Sequence, residues 1–214
     1  YMNCDQCFAC RNGSTNCCES LEVIGVHKNG GMCEQFIIPA HKLHTSSKLT
    51  MDQLALVETL AIGCHCVDRA KVSEGENVLV LGAGPIGLAV IEFLKVAKTK
   101  VIVMDMNETR LKFCEERLGV DYTLIFKGDG SEEECLRDFN GGDLPTTVID
   151  ATGSHVSMSN AFQYVGFTGQ VIYVGITTQD LTFKHVSIHR PELTIKASRN
   201  AVPRDFSRII QLIE

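Results

Sequence analysis

The chain has 214 residues, 44% of them hydrophobic and 21% charged, enough to bury one large core or two smaller ones. Its formal charge of −6 lacks the basic excess that nucleic-acid binding demands. No apolar run matches the ~20 residues of a membrane-spanning helix, because VLVLGAGPIGLAVIEFL is broken by three glycines and a proline. Nothing at the start has the basic-then-apolar pattern of an export signal. A soluble, cytoplasmic protein that handles a small molecule, with no nucleic-acid or membrane partner, is therefore expected.

Residues 1–20 read as an irregular segment that holds five of the ten cysteines. Cys4, Cys7 and Cys10 stand three apart, and Cys17 and Cys18 follow. Interleaved CxxC steps can turn several thiolates inward onto one ion, and four sulfurs around a tetrahedral zinc leave no open position. Such a site is structural. A redox CxxC is expected at the start of a helix after a strand, and a disulfide knot fits poorly with a reduced compartment, so zinc is the favoured reading of the three. The fourth ligand is Cys17 or Cys18, since two adjacent residues cannot readily both reach one ion.

LEVIGVH and MCEQFIIPA flank Lys28-Asn29-Gly30-Gly31, and an Asn-Gly pair accepts the positive φ of a tight turn, so two strands joined by a hairpin are predicted. The spacing of apolar residues from Thr50 to Ala70 predicts a helix leading out of this first module, with the boundary near residues 55 and 56. Beyond Glu74 the rhythm changes. NVLVLG, KVIVMD, YTLIF, TTVID, GQVIYVG and ELTIKA read as strands, the first four gaps between them being filled by helical segments. Continuous apolar strands alternating with helices predict an α/β fold, a doubly wound parallel sheet of the Rossmann type, over residues 56–197. PRDFSRIIQLIE reads as a further helix. With Tyr1 entering directly into the cysteine segment and the last helix uncapped, the chain is expected to continue beyond both ends.

NVLVLGAGPIGLAV places Gly82, Gly84 and Gly87 in GxGxxG spacing between a strand and a helix. Gly82 permits the tight turn, Gly84 lets the backbone approach a pyrophosphate, and Gly87 lets helix and strand pack closely. Pro85 and Ile86 open the helix whose N-terminal amides face the phosphates. The next strand ends in Asp105, eighteen residues after Gly87, where a carboxylate can accept both ribose hydroxyls. Its charge would repel a 2′-phosphate, which favours NAD over NADP. The bland alternative is a glycine-rich turn with a solvated aspartate, and the full context disfavours it.

With a four-cysteine lobe, an NGG segment and a GAGPIG turn in this order, the chain resembles the medium-chain zinc-dependent alcohol dehydrogenases, in the branch that contains sorbitol dehydrogenase. The resemblance runs essentially end to end. The family's CxxCxxCx7C pattern selects Cys18 over Cys17, and LVETLAIGCHCVDRA looks like its "VEPL" segment, with Thr59 where proline is usual. It implies that residues 1–55 belong to a GroES-like, β-rich catalytic domain and that 198–214 begin the return to it. It also implies a second, catalytic zinc whose cysteine and His-Glu ligands lie upstream of the lobe, leaving Glu58 as the one counterpart here. Arg110 would meet the adenosine side of the cofactor, and Val174, Gly175 and Ile176 the nicotinamide side. Within the family, RNGSTNCCESLEVIGVHKNGGMCEQF, VIDATGSHVSMSN and ASRNAVPRDF look most like members that oxidise L-galactonate-like sugar acids. Arg199, in ASRNA, aligns with an arginine near substrate and could take a carboxylate through two parallel hydrogen bonds.

The activity implied is hydride transfer from a secondary alcohol of a sugar acid or polyol to NAD, by a homodimer or homotetramer. Glu58 and Arg199 each have an ordinary surface reading as well, as do Arg110 and the buried strand VIYVG. His41, His44 and His65 lack metal-ligand spacing and are expected to pack or face solvent. The competing hypothesis is a non-enzymatic dinucleotide-binding module stabilised by zinc. A zinc-free reductase of the same superfamily would leave the four cysteines without a role.

Overall fold

Six apolar runs form one all-parallel sheet: β1 (Asn77–Leu81), β2 (Lys100–Asp105), β3 (Tyr122–Ile125), β4 (Thr147–Asp150), β5 (Gln170–Tyr173) and β6 (Thr194–Ala197). Their spatial order is β3-β2-β1-β4-β5-β6 in the computed structural model, which describes all 214 residues. This is the doubly wound order, with the direction of winding reversing between β1 and β4. Val78, Leu79, Val80, Val101, Ile102, Val103, Val148, Ile149, Val171 and Ile172 are all fully buried. Burial on both faces removes the polar alternation of a half-exposed strand, which is why these runs read as continuously apolar.

Helices fill the connections. After α1 (Phe8–Arg11) and α2 (Met51–Ala70), α3 (Pro85–Val96), α4 (Glu108–Phe113), α5 (Glu132–Phe139) and α6 (His155–Asn160) occupy the first four gaps between strands, and α7 (Val186–His189) the fifth. One face of the sheet packs Leu79, Ile102, Val148 and Val171 against Leu136, Phe162 and Tyr164. The second half of α2 presses on α3, where a Cβ on Gly63 would lie 2.4 Å from the carbonyl carbon of Ala89. Register sets what meets at the sheet's carboxyl end. Leu81 pairs with Met104 on one side and Asp150 on the other, so the turns after β1, β2 and β4 emerge side by side.

The polypeptide divides into two compact units, Ile62–Ser198 and a second made of Tyr1–Ala61 with Arg199–Glu214. The division falls inside α2, whose start is fixed by a reciprocal cap: Thr50 N–H donates to Gln53 Oε1 at 2.8 Å, and Gln53 N–H to Thr50 Oγ1 at 3.3 Å. The smaller unit also contains α8 (Pro203–Ile213), which buries Ile209 and Ile210. There the carboxylate of Asp205 accepts the N–H of Val202 at 2.9 Å and closes the first turn.

The predicted hairpin is not formed. LEVIGVH takes part only in isolated bridges, Met2 with Glu22 and Ile24 with Lys28, none of which reaches MCEQFIIPA, and the positive φ falls on Gly25 (+88°), not at Asn29-Gly30. Met32, Phe36 and Ile37 are all more than half exposed. Without a surface to bury its apolar face, a two-stranded ribbon does not hold its ladder.

Candidate dinucleotide and metal sites

The turn between β1 and α3 is shaped by its glycines. Gly82 has φ +93°, open to glycine and strained for other residues. A Cβ on Gly87 would lie 1.8 Å from the carbonyl oxygen of Gly82, so only glycine allows α3 to start this close to β1. Gly84 differs from both: a Cβ there would meet nothing within 4 Å. Its missing side chain leaves open space on the cleft side, as the approach of a diphosphate requires. Pro85 and Ile86 form the first turn of α3, with Pro85 at the first helical position, where its lack of an N–H costs nothing.

Asp105 ends β2 beside this turn. Its Oδ2 accepts the N–H of Ala83 at 2.6 Å, and its Oδ1 the N–H of Asn107 at 2.8 Å. Arg110 Nη1 stands 3.9 Å from Oδ2 and is half exposed. Each carboxylate oxygen keeps a further lone pair, so the group can still accept ribose hydroxyls. Gly82, Gly84, Asp105 and Arg110 line one cleft of about 620 Å³ at the carboxyl ends of β1, β2, β3 and β4. The cleft lies at the point where strand order reverses, the position at which open α/β sheets bind ligands.

Several of its lining residues were not singled out from the sequence. Met106 and Phe126 extend the wall beyond β2 and β3, while Thr152, Ser154, Ser157 and Asn160 form the wall beyond β4. The available signal was the run of hydroxyls in ATGSHVS directly after a predicted strand, informative only once β4 is known to adjoin β1. Val174, Gly175 and Ile176, by contrast, do not line this cleft. Val174 is buried, Ile176 is largely exposed, and a Cβ on Gly175 would lie 2.5 Å from the nitrogen of Gly153. They hold the β5 turn against the β4 turn.

In the smaller unit the sulfurs of Cys4, Cys7, Cys10 and Cys18 all lie within 4.8 Å of one another, while Cys17 is exposed and outside the group. Cys4 N–H points at Cys18 Sγ and Cys7 N–H at Cys4 Sγ, each at 3.3 Å. Backbone N–H groups, led by that of Cys10, hold the Cys7 thiol down at about 6. Burial pushes the neighbouring Cys10 thiol the other way, but four soft donors gathered this closely fit a tetrahedral zinc.

Glu58 lies on α2 and is exposed. Helical periodicity turns Val57 inward and leaves Glu58 outside. It is nevertheless partnered: the Tyr1 hydroxyl donates to Glu58 Oε1 at 2.7 Å. Burial, followed by the Glu58 bond, raises the Tyr1 phenol well above its ordinary range, so it remains a donor. Both line a cavity of about 330 Å³ together with Asn16, His41, Lys42 and His44. His44 stacks on Phe206, with ring centroids 5.0 Å apart, and burial lowers its pKa. Two of the three histidines assigned to packing or solvent thus share a cavity with Glu58. Arg199 is exposed and does not line it; its carbonyl accepts Asn16 Nδ2 at 2.7 Å.

Comparison with known proteins shows the family. Residues 85–214 match the family model described as "Zinc-binding dehydrogenase". An L-galactonate-5-dehydrogenase of Escherichia coli (strain K12) is 38% identical over 213 residues, all of this chain and 62% of the relative. An uncharacterized zinc-type alcohol dehydrogenase-like protein of Haemophilus influenzae is 33% identical over 198 residues, covering 88% of this chain and 57% of the relative. Among solved structures, one from E. coli CFT073 described as a short chain alcohol dehydrogenase (rspB) complexed with cofactor NADH superposes with a TM-score of 0.90 at 29% identity, over 99% of this chain and 62% of that one. The chain belongs to the zinc-binding dehydrogenase family, and it spans about three fifths of the length of these relatives.

Proposed function

We propose that the protein is an NAD-dependent zinc dehydrogenase acting on a secondary alcohol of a sugar acid or polyol, an L-galactonate-like acid being the leading candidate. The observation that carries it is the cleft at the β1–β4 reversal, where the glycine turn and the Asp105 carboxylate stand together. The NADH-bound relative supports the cofactor, and the L-galactonate-5-dehydrogenase relative supports the substrate class.

In this reading Ile62–Ser198 is the dinucleotide-binding domain, and the smaller unit is part of a catalytic domain ordered by one zinc on Cys4, Cys7, Cys10 and Cys18. Asp105 accepts the ribose hydroxyls and rejects a 2′-phosphate, while Arg110 borders the adenosine. Gly84 admits the diphosphate to the amides that open α3. Val174, Gly175 and Ile176 keep their proposed place near the nicotinamide as the backbone beyond β5. Glu58 is the carboxylate at the reacting centre, with one oxygen held by Tyr1. Glu58 would contribute one ligand to a catalytic zinc, which would supply Lewis-acid polarisation of the substrate oxygen, with NAD as the hydride acceptor. Arg199 is assigned to the substrate carboxylate, and the assembly to a homodimer or homotetramer.

A screen of sugar acids and polyols on the full-length protein, following NADH formation, tests this. L-galactonate or a close relative should be oxidised with NAD, and Glu58→Ala should lower turnover at least a hundredfold. No turnover of any sugar acid or polyol would refute the assignment.

A further inference from the structure

The end of β4 carries a buried acid for which cofactor binding has so far supplied no part. Asp150 is fully buried, yet it collects three donors. Its Oδ1 accepts the N–H of Thr152 at 2.9 Å and the hydroxyl of Thr152 at 2.7 Å, and its Oδ2 accepts the hydroxyl of Ser157 at 2.6 Å. Thr152 Oγ1 in turn accepts the N–H of Ser154 at 3.0 Å. Thr152 and Ser157 both line the nucleotide cleft.

A hydroxyl has a single proton to give. With the protons of Thr152 and Ser157 committed to Asp150, both side chains have only lone pairs left for the cleft. Asn160, on the same wall, is arranged the opposite way: its Oδ1 takes Gln163 Nε2 at 3.3 Å, which leaves its N–H donors to be satisfied. The wall therefore offers two acceptors and an amide donor. Met106, Phe126 and Val156 border the same space, and their apolar surfaces suit a planar base. Asp105, the ribose carboxylate of the proposed function, lines the same cleft.

Adenine presents an amine donor beside a ring-nitrogen acceptor, and this wall is the complement of that edge. A 6-oxo purine presents an acceptor where adenine has its amine, and would face the lone pairs of two hydroxyls. We propose that Asp150 is a positioning residue that sets the polarity of the β4 wall, so that Thr152 and Ser157 accept from the adenine amine and select an adenine dinucleotide over its hypoxanthine counterpart. The inference rests on the dinucleotide assignment and adds the recognition of the base.

The test titrates the chain with NADH and with the hypoxanthine analogue of NADH, following nicotinamide fluorescence. Wild type should bind NADH about tenfold more tightly than the analogue, the worth of about one neutral hydrogen bond. Asp150→Asn has nearly the same shape, but its amide must donate to one hydroxyl and reverse it. The base preference should then fall to about twofold, while the preference for NADH over NADPH, assigned to Asp105, stays. If Asp150→Asn does not fold, Ser157→Ala removes one acceptor and should reduce the base preference in a chain that still folds, its unfolding temperature lowered because Asp150 Oδ2 loses its hydroxyl donor. NADH binding with no base preference in wild type, or the same preference in wild type and variants, would overturn the role of Asp150 alone. Binding of neither dinucleotide by wild type would overturn the dinucleotide assignment, and this role with it.

Discussion

The carboxylate of Asp105 accepts the backbone N–H of Ala83 at 2.6 Å, so the residue that ends β2 also holds the turn that follows β1. Its other oxygen holds the N–H of Asn107 at 2.8 Å. Two backbone donors converge on one side chain, and only a carboxylate supplies an acceptor oxygen to each.

Asp105→Asn should therefore do more than relax the choice between NADH and NADPH. One of the two N–H groups loses its acceptor, at a cost of about 1–3 kcal/mol, and the glycine turn loosens. NADH affinity should fall at least tenfold and the NADH/NADPH ratio should narrow, both measurable by calorimetric titration. A variant that binds NADH as wild type does would show that Asp105 neither holds the turn nor reads the ribose.

Gly84 and Gly87 separate two roles within one motif. Gly87→Ala places a methyl 1.8 Å from the Gly82 carbonyl oxygen, and the backbone cannot yield that much without displacing α3 from β1. A loss of more than about 3 kcal/mol of stability is expected. Gly84→Ala meets nothing, so the unfolding temperature should barely change while dinucleotide affinity drops, because the methyl occupies the space left for the diphosphate. Thermal melts with and without NADH distinguish the two.

The four clustered thiols predict close to one zinc per chain by elemental analysis. Cys7→Ser should abolish it, whereas Cys17→Ser should leave it in place, since Cys17 lies outside the group. Chelation should expose residues 1–20 to proteolysis, because the segment has almost no core of its own and relies on the metal for order. A metal-free chain that is equally protease-resistant would contradict a structural role for zinc.

Buried thiols set an alkaline limit. Burial pushes Cys66 up to about 12 and Cys114 up to about 11, well above an ordinary thiol, so in the native state both stay neutral where the unfolded chain would ionise them. A raised folded pKa contributes stability that is complete below about pH 9 and is lost as pH climbs toward 11–12. Chemical-denaturation midpoints should decline across that window, and Cys66→Ala should flatten the decline. Cys17 and Cys33, both exposed, should react with thiol reagents well before either.

Much of this architecture was legible because its signals are local and periodic. A strand buried on both faces leaves a continuous apolar run, and the GxGxxG turn records in three adjacent steps the contacts each glycine must allow. Asp105 was equally visible, since it needs only to end the next strand. The hairpin around Asn29-Gly30 misled for the complementary reason: turn chemistry proposes a ribbon, and only a surface to bury against can hold it.

The amino-acid sequence by itself determined the elements, their parallel winding, the glycine turn and its acid, and the cysteines able to gather on one ion, because each follows from spacing along the chain. Only the tertiary structure decided that Tyr1 holds Glu58 and that Asp150 governs the hydroxyls of the β4 wall. Those relationships depend on strand order and on which side chains converge at the carboxyl end of the sheet or within the smaller unit. Convergence in space of groups distant along the chain is a property of packing, which spacing alone does not encode.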